Sequence, residues 1–243
     1  MGKILAVTSG KGGVGKSSVS VGLSIAFARM GKKTLLVDMD EGLRCLDLML
    51  GIDDSAILDL SDVLAGKEIE DVCYTTPLAD NLFLIPAPLK YGTINPDAFE
   101  NFAAKASHLY DVVIFDFSAG LDFSLYKRLP KKTTFLTVCV PDPISIRDAA
   151  AVSRNLNENN LSARLIINRF VYDQCKKHGF KNVDNMIDTA ELRLLGIVPE
   201  DDELKVITIT HKLKKRNYAF CAFTRIAKRL LGEATPLPKL KDI

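Results

Sequence analysis

The sequence has few cysteines, no long apolar run and little net charge. Its five cysteines stand far apart, no two form a C-x-x-C pair, and their number is odd, which argues against a disulfide framework and against a zinc or iron–sulfur site. The apolar run ending at Val7 is too short for a signal peptide, and no other run could span a bilayer. The net charge of +2 gives no global field for nucleic acid or membrane. We therefore expect a cytoplasmic chain.

Apolar runs without polar alternation recur along the chain and indicate strands that are buried on both faces, as in a parallel sheet. They lie at residues 4–7, 34–38, 82–87, 112–117, 133–140, 163–168 and 194–198. Helical spacing occurs between them at 16–30, 95–109 and 143–157, and the first segment carries a single apolar stripe: Val19, Leu23, Ala26, Phe27 and Met30. This order predicts an α/β fold with a doubly wound, mostly parallel sheet and helices on both faces. We expect one domain over residues 1–243, with a short tail at 233–243.

A glycine-rich loop, SGKGGVGKSS, spans residues 9–18 between the first predicted strand and the first predicted helix. It satisfies the P-loop pattern G-x-x-x-x-G-K-[ST], in which backbone N–H groups and a helix N-terminus surround phosphates. In that pattern Lys16 reaches the β- and γ-phosphates and Ser17 ligates Mg²⁺. The pattern therefore predicts binding of nucleotide phosphates with Mg²⁺ by the loop residues Gly10, Gly12, Gly13, Val14, Gly15, Lys16, Ser17 and Ser18.

Carboxylates follow two of the apolar runs. Asp38 ends the run TLLVD, and Asp40 follows it two residues later. Asp116 ends the run VVIFD. Acids at the carboxyl ends of parallel strands lie beside the ligand crevice. We expect Asp40 to orient an attacking water and Asp38 to support the Mg²⁺ shell. Asp116 stands where a Walker B aspartate binds Mg²⁺ through water.

The strings KGGVGKS, GLRCLDLMLG and LLGIVPED resemble the MinD/ParA family of deviant Walker A P-loop ATPases, and the last two are most similar to its MinD branch. The resemblance implies that Lys11 reaches the partner subunit's phosphates across a nucleotide-sandwich dimer, while Lys16 serves its own subunit. It places the base-binding loop at Pro199, Glu200 and Asp201, with the Asn168 amide on the adenine edge.

The resemblance also implies a function. It predicts a slow, partner-stimulated ATPase that dimerises with ATP and acts in division-site placement or related positioning. Two positions depart from the MinD pattern: Cys45 replaces a usual asparagine and Ser118 a usual proline. A thiol is a weak hydrogen-bonding group, so Cys45 could alter hydrolysis.

The C-terminal region carries a concentrated positive charge. Residues 204–232 contain no acid and many basic residues: Lys205, Lys212, Lys214, Lys215, Arg216, Arg225, Lys228 and Arg229. We expect 216–231 to be a core helix with a basic outer face. The prolines at 236 and 238 leave no room for the amphipathic membrane helix usual in MinD, so we expect a peripheral location at membrane or nucleoid only through a partner.

Two other functions stay open. A ParA-like partitioning ATPase would bind DNA non-specifically through the basic segment HKLKKR at 211–216. A metabolic P-loop enzyme would need a second-substrate pocket, for which the sequence shows no signature.

Overall fold

The computed structural model describes residues 1–52, 56–120, 123–172, 182–205, 207 and 217–240. Its centre is one sheet of eight strands in the order β3-β4-β2-β5-β1-β6-β7-β8. The strands are β1 Lys3–Thr8, β2 Thr34–Met39, β3 Tyr74–Thr75, β4 Leu82–Ile85, β5 Val112–Phe117, β6 Thr134–Cys139, β7 Ala163–Phe170 and β8 Leu194–Pro199.

All strand pairs are parallel except the pair of β3 with β4. The predicted parallel sheet is confirmed, because the apolar runs are strands covered on both faces. Two details differ from the expectation. The run at 82–87 ends as a strand at Ile85, and the two-residue edge strand β3 was not predicted.

Ten helices lie within the described ranges. They are α1 Lys16–Arg29, α2 Leu46–Met49, α3 Leu60–Leu64, α4 Ile69–Val72, α5 Pro96–Leu109, α6 Phe123–Tyr126, α7 Pro143–Glu158, α8 Val183–Ala190, α9 Asp202–Lys205 and α10 Tyr218–Leu230. The longer predicted helices begin at proline or lysine after a cap. Asp142 caps α7 by accepting the N–H groups of Ile144 and Ser145, both at 3.0 Å.

Helices cover both faces of the sheet, as predicted. One apolar core joins α1, α2 and α10 to the sheet, and another joins α3 to α6 and part of α7. Within the parts that the structure describes, no helix is long and apolar enough to cross a bilayer.

Helix α1 is buried more completely than its predicted stripe. Val21 and Ile25, which lie off that stripe, are also fully buried. The reason is α10, which packs on α1 so closely that a Cβ on Gly22 would lie 2.2 Å from the Phe223 ring. Sequence periodicity within α1 could not reveal a cover supplied by residues about 200 positions later.

Helix α10 confirms the predicted core helix at 216–231, with one correction to its basic outer face. Arg229 turns inward: its guanidinium donates to the carbonyls of Leu195 and Thr235, both at 2.7 Å. Burial lowers the pKa of Arg229, with the nearby Arg225 charge as a smaller cause. Arg229 therefore ties α10 to β8.

The order β2-β5-β1 brings three carboxyl strand ends side by side. Asp38 of β2 is in register with Asp116 of β5, and Val7 of β1 is in register with Asp116 on the other side. The glycine-rich loop that follows β1 therefore lies at the same sheet edge as both acids.

Candidate nucleotide-binding site

The loop between β1 and α1 has an open inner surface. Gly13 and Gly15 adopt φ angles of 80° and 83°, which favour glycine. A Cβ at Gly12 or Gly13 would meet no atom within 4 Å. Gly15 is the N-cap of α1 and has no side chain that could cap the first N–H groups of this helix. A loop of this shape at a helix N-terminus fits a phosphate group.

Two distant segments press on the loop and fix its path. A Cβ on Gly10 would lie 2.7 Å from the Asp148 carbonyl oxygen, and a Cβ on Gly15 would lie 2.3 Å from Asn168 Nδ2. Asn168 Nδ2 also donates to the Val14 carbonyl at 2.9 Å. Glycine is therefore required at position 10 by close contact, and at position 15 by close contact and by its left-handed conformation. The Asn168 amide, predicted to contact adenine, supports the loop backbone.

Lys16 and Asp116 form a buried ion pair 100 residues apart in sequence. Lys16 Nζ lies 3.3 Å from Asp116 Oδ1, and both side chains are at least nine-tenths buried. Ser20 Oγ donates to the same oxygen at 2.8 Å. Ser20 lies outside the P-loop motif and was not predicted, although its position four residues after Lys16 places both on one side of α1.

The second oxygen of Asp116 is buried and has no hydrogen-bond partner among the residues that the structure describes. A buried carboxylate oxygen without a partner is costly, and this one fits a cation or its water ligand. The candidate donors Ser17, Asp38 and Asp116 are all hard oxygen groups, which suit Mg²⁺. No cluster of three or more acidic, cysteine or histidine ligands occurs in the described ranges. Phosphate oxygens and water would therefore complete the coordination.

Asp38 is fully buried and accepts three backbone N–H groups. Asp40 N donates to Oδ1 at 3.0 Å, and the N–H groups of Cys45 and Leu46 donate to Oδ2, both at 3.3 Å. Burial raises the pKa of Asp38 to about 7, and the Asp116 charge adds to the rise. Asp38 thus fixes the start of the switch loop, defined here as residues 40–45, beside the phosphate loop.

Asp40 is partly buried at the mouth of the same site. Burial raises the pKa of Asp40, the Lys16 charge opposes that rise, and Asp116 adds to it. The carboxyl end of β2 therefore lies close enough to Lys16 and Asp116 for their charges to act on Asp40. A carboxylate at this place could hold a water next to the phosphates.

The Cys45 thiol lies near Ser17, the predicted Mg²⁺ ligand, and its interaction with Ser17 lowers the pKa of the thiol. Burial raises the pKa of the Cys45 thiol to about 11, and the Asp38 and Asp116 charges add to the rise. The thiol is therefore neutral near pH 7 and is a weak hydrogen-bonding group.

The predicted base-binding residues line one cavity of about 280 Å³: Asn168, Pro199, Glu200 and Asp201. Ser18 of the phosphate loop lines the same cavity, which therefore lies next to that loop. Glu200 pairs there with Lys205 at 2.7 Å and with Arg169 at 4.0 Å. Arg169 was not predicted, and its φ of 53° marks it as an unusual backbone position. The cavity is wide enough and polar enough to fit a nucleobase.

The two lysines of the loop differ in their surroundings. Lys16 is buried against Asp116, whereas Lys11 is exposed and forms no ion pair within the described part of the chain. The Lys11 backbone is held, because its carbonyl accepts Ser9 Oγ at 3.0 Å. The basic segment 211–216, predicted as a DNA contact, lies outside the described residues.

Comparison with known proteins agrees with this geometry. A family model described as the CobQ/CobB/MinD/ParA nucleotide binding domain matches residues 5–213. The septum site-determining protein MinD of Bacillus subtilis is 32% identical, over 100% of this chain and 94% of that protein.

Two solved structures are also similar along nearly the whole chain. The MinC:MinD cell division protein complex of Aquifex aeolicus contains a chain that is 30% identical, with a TM-score of 0.85 and coverage of 98% of this chain and 99% of that one. MinD of Pyrococcus horikoshii complexed with Mg-ADP is 27% identical, with a TM-score of 0.81 and coverage of 95% and 96%. This chain belongs to the MinD/ParA family of nucleotide-binding P-loop proteins, as its sequence motifs predicted.

Proposed function

We propose that this chain is an Mg²⁺-dependent ATPase of the MinD type, whose ATP-bound form is a face-to-face dimer. The exposed Lys11 carries the proposal. A cation on the open side of a phosphate loop, with no counter-charge in its own chain among the described residues, is available to a second subunit's phosphates. Charge supplied across an interface would stabilise the transition state as an arginine finger does. The chain would act as one ATPase domain.

The roles of the other residues follow from their positions. Lys16 would leave Asp116 to bind the β- and γ-phosphates, and the loop N–H groups would hold the phosphate oxygens. Ser17, with Asp38 and Asp116 through water, would hold Mg²⁺, which neutralises charge on the phosphates. Asp40 would orient the attacking water, and the cavity at Asn168 and 199–201 would take adenine.

The cellular role we infer is spatial organisation, with division-site placement as the leading form. The support is the whole-length similarity to septum site-determining proteins. The Aquifex aeolicus complex joins MinD to MinC, and we infer that this chain also meets a protein partner that raises its slow hydrolysis.

Two lysine variants test the proposal. Lys11→Ala should still bind a fluorescent ATP analogue but lose hydrolysis and ATP-dependent dimerisation, whereas Lys16→Ala should weaken nucleotide binding itself. The control is Lys132→Ala, an exposed lysine just before β6, at the opposite sheet edge. Normal phosphate release and dimerisation by Lys11→Ala would contradict the cross-subunit role.

A further inference from the structure

The switch loop is fastened to a second loop by one carboxylate, Glu41, which directly follows Asp40. Glu41 Oε1 accepts the Thr93 N–H at 2.8 Å, the Thr93 hydroxyl at 2.7 Å and the Ile94 N–H at 3.0 Å. Glu41 Oε2 accepts the Gly92 N–H at 3.0 Å. We propose that Glu41 is a positioning residue for ATP hydrolysis, which holds the Asp40 segment in its productive place by binding the 92–94 backbone. This inference rests on the proposed ATPase function.

The four donors require a group with two acceptor oxygens. An ionised carboxylate offers two acceptor oxygens and no donor, so it can satisfy all of them at once. Burial opposes ionisation of Glu41, but the hydrogen bonds from Thr93, Gly92 and Ile94 outweigh it and lower its pKa. Glu41 is therefore ionised at neutral pH, and its hydrogen bonds are charge-assisted.

The backbone next to Glu41 is docked on the same loop. Gly42 N donates to the Pro88 carbonyl at 2.9 Å. Gly42 has a φ of 77°, and a Cβ there would lie 2.3 Å from the Tyr91 ring. The ring covers the glycine, so position 42 has no space for a side chain. Two successive residues of the switch loop thus contact the 88–94 loop.

The 88–94 loop is itself anchored to the fold. It follows β4 and runs into α5, whose N-cap Asn95 accepts the N–H groups of Asp97 and Ala98, both at 3.0 Å. Through the 88–94 loop, Glu41 therefore links the switch loop to α5, which lies on the face of the sheet opposite to α1. The linkage leaves the phosphate loop, α1 and the base cavity untouched.

Asp40 is consequently held from both sides. Its own N–H donates to Asp38 Oδ1 at 3.0 Å, and the next residue is fixed by the Glu41 contacts. Removing only the Glu41 contacts should displace the Asp40 carboxylate while phosphates and base still bind. Small displacements of a positioning group reduce the chemical step strongly.

Steady-state hydrolysis with Mg-ATP tests this inference through the separation of kcat from KM. Glu41→Ala should lower kcat by roughly ten- to a hundredfold and leave the KM for ATP unchanged. Glu41→Gln should lose less of its kcat, because its amide oxygen can still accept the hydrogen bonds that Oε1 accepts in the unaltered chain. The control Glu68→Ala removes an exposed glutamate that pairs with Lys105 on the outer helices and should change neither constant.

The outcomes separate this inference from the function on which it rests. If the unaltered chain hydrolyses ATP, and kcat of Glu41→Ala equals that of the Glu68→Ala control, the positioning role is wrong and the ATPase proposal stands. Thermal unfolding measures how much of each variant is folded. If Glu41→Ala loses kcat only in proportion to its loss of folded protein, the positioning role is also wrong. If the unaltered chain hydrolyses no ATP, both fail together.

Discussion

Asp38→Asn should remove a pH dependence from the stability of the nucleotide-free chain. Asp38 is fully buried, and its pKa is raised to about 7 by burial and by Asp116. In the unfolded chain an aspartate has a pKa of about 3.9. Between these values the folded chain binds more protons than the unfolded chain, so the free energy of unfolding falls as pH rises.

The magnitude follows from the difference between the two pKa values. A difference of about three units corresponds to roughly 4 kcal/mol, lost at up to about 1.4 kcal/mol per pH unit. Asparagine has no charge to desolvate, so the loss should be absent in the variant. The amide nitrogen of asparagine would face the N–H groups of Cys45 and Leu46, which costs a pH-independent amount. The test therefore follows how the difference in free energy of unfolding between Asp38→Asn and the unaltered chain changes with pH.

Urea unfolding at intervals from pH 4.5 to 8, with chelator and without nucleotide, measures this difference. The stability of Asp38→Asn minus that of the unaltered chain should rise across this range and level off above about pH 7. A difference that stays constant with pH would refute the raised pKa of Asp38. Asp80→Asn, at an exposed aspartate outside the site between Ala79 and β4, supplies the control for removal of one carboxylate.

Three further substitutions test the packing and chemistry around the site. Gly22→Ala should destabilise the chain by roughly 1–3 kcal/mol in urea unfolding, because its Cβ meets the Phe223 ring; adding Phe223→Leu should restore stability, and no loss would contradict the tight α1–α10 contact. Gly15→Ala should lower the free energy of unfolding by roughly 1–2 kcal/mol, because Gly15 has a left-handed backbone. It should also abolish binding of a fluorescent ATP analogue, because the added Cβ would contact Asn168; normal binding would refute this. Cys45→Asn should raise phosphate release, because an amide is a stronger hydrogen-bonding partner than a thiol; an unchanged rate would show that the Ser17 contact has no kinetic role.

The sequence predicted those parts of the fold and site that depend on local pattern. Buried parallel strands appear in the sequence as unbroken apolar runs. The glycine-rich loop at 9–18 predicted a strand before it and a helix after it. Asp38 and Asp116 could be placed together because the carboxyl ends of neighbouring parallel strands share an edge.

Features that depend on distant packing could not be predicted in the same way. The edge strand β3 has only two residues and thus no periodicity, and the cover that α10 gives to α1 has no signal within α1. The role of Glu41 has no local signal in the sequence, because the four groups that donate hydrogen bonds to it lie about fifty residues later. The Asn168 contact with Val14 likewise joins residues more than 150 positions apart.

The mass of the chain in solution tests the dimer switch most directly. Asp40→Ala, which should bind ATP without hydrolysing it, would be measured by light scattering with Mg-ATP and with Mg-ADP. We predict twice the 26.7 kDa chain mass with ATP and the single mass with ADP. The single mass in both nucleotide states, with binding of both confirmed, would contradict the face-to-face dimer and the role of Lys11.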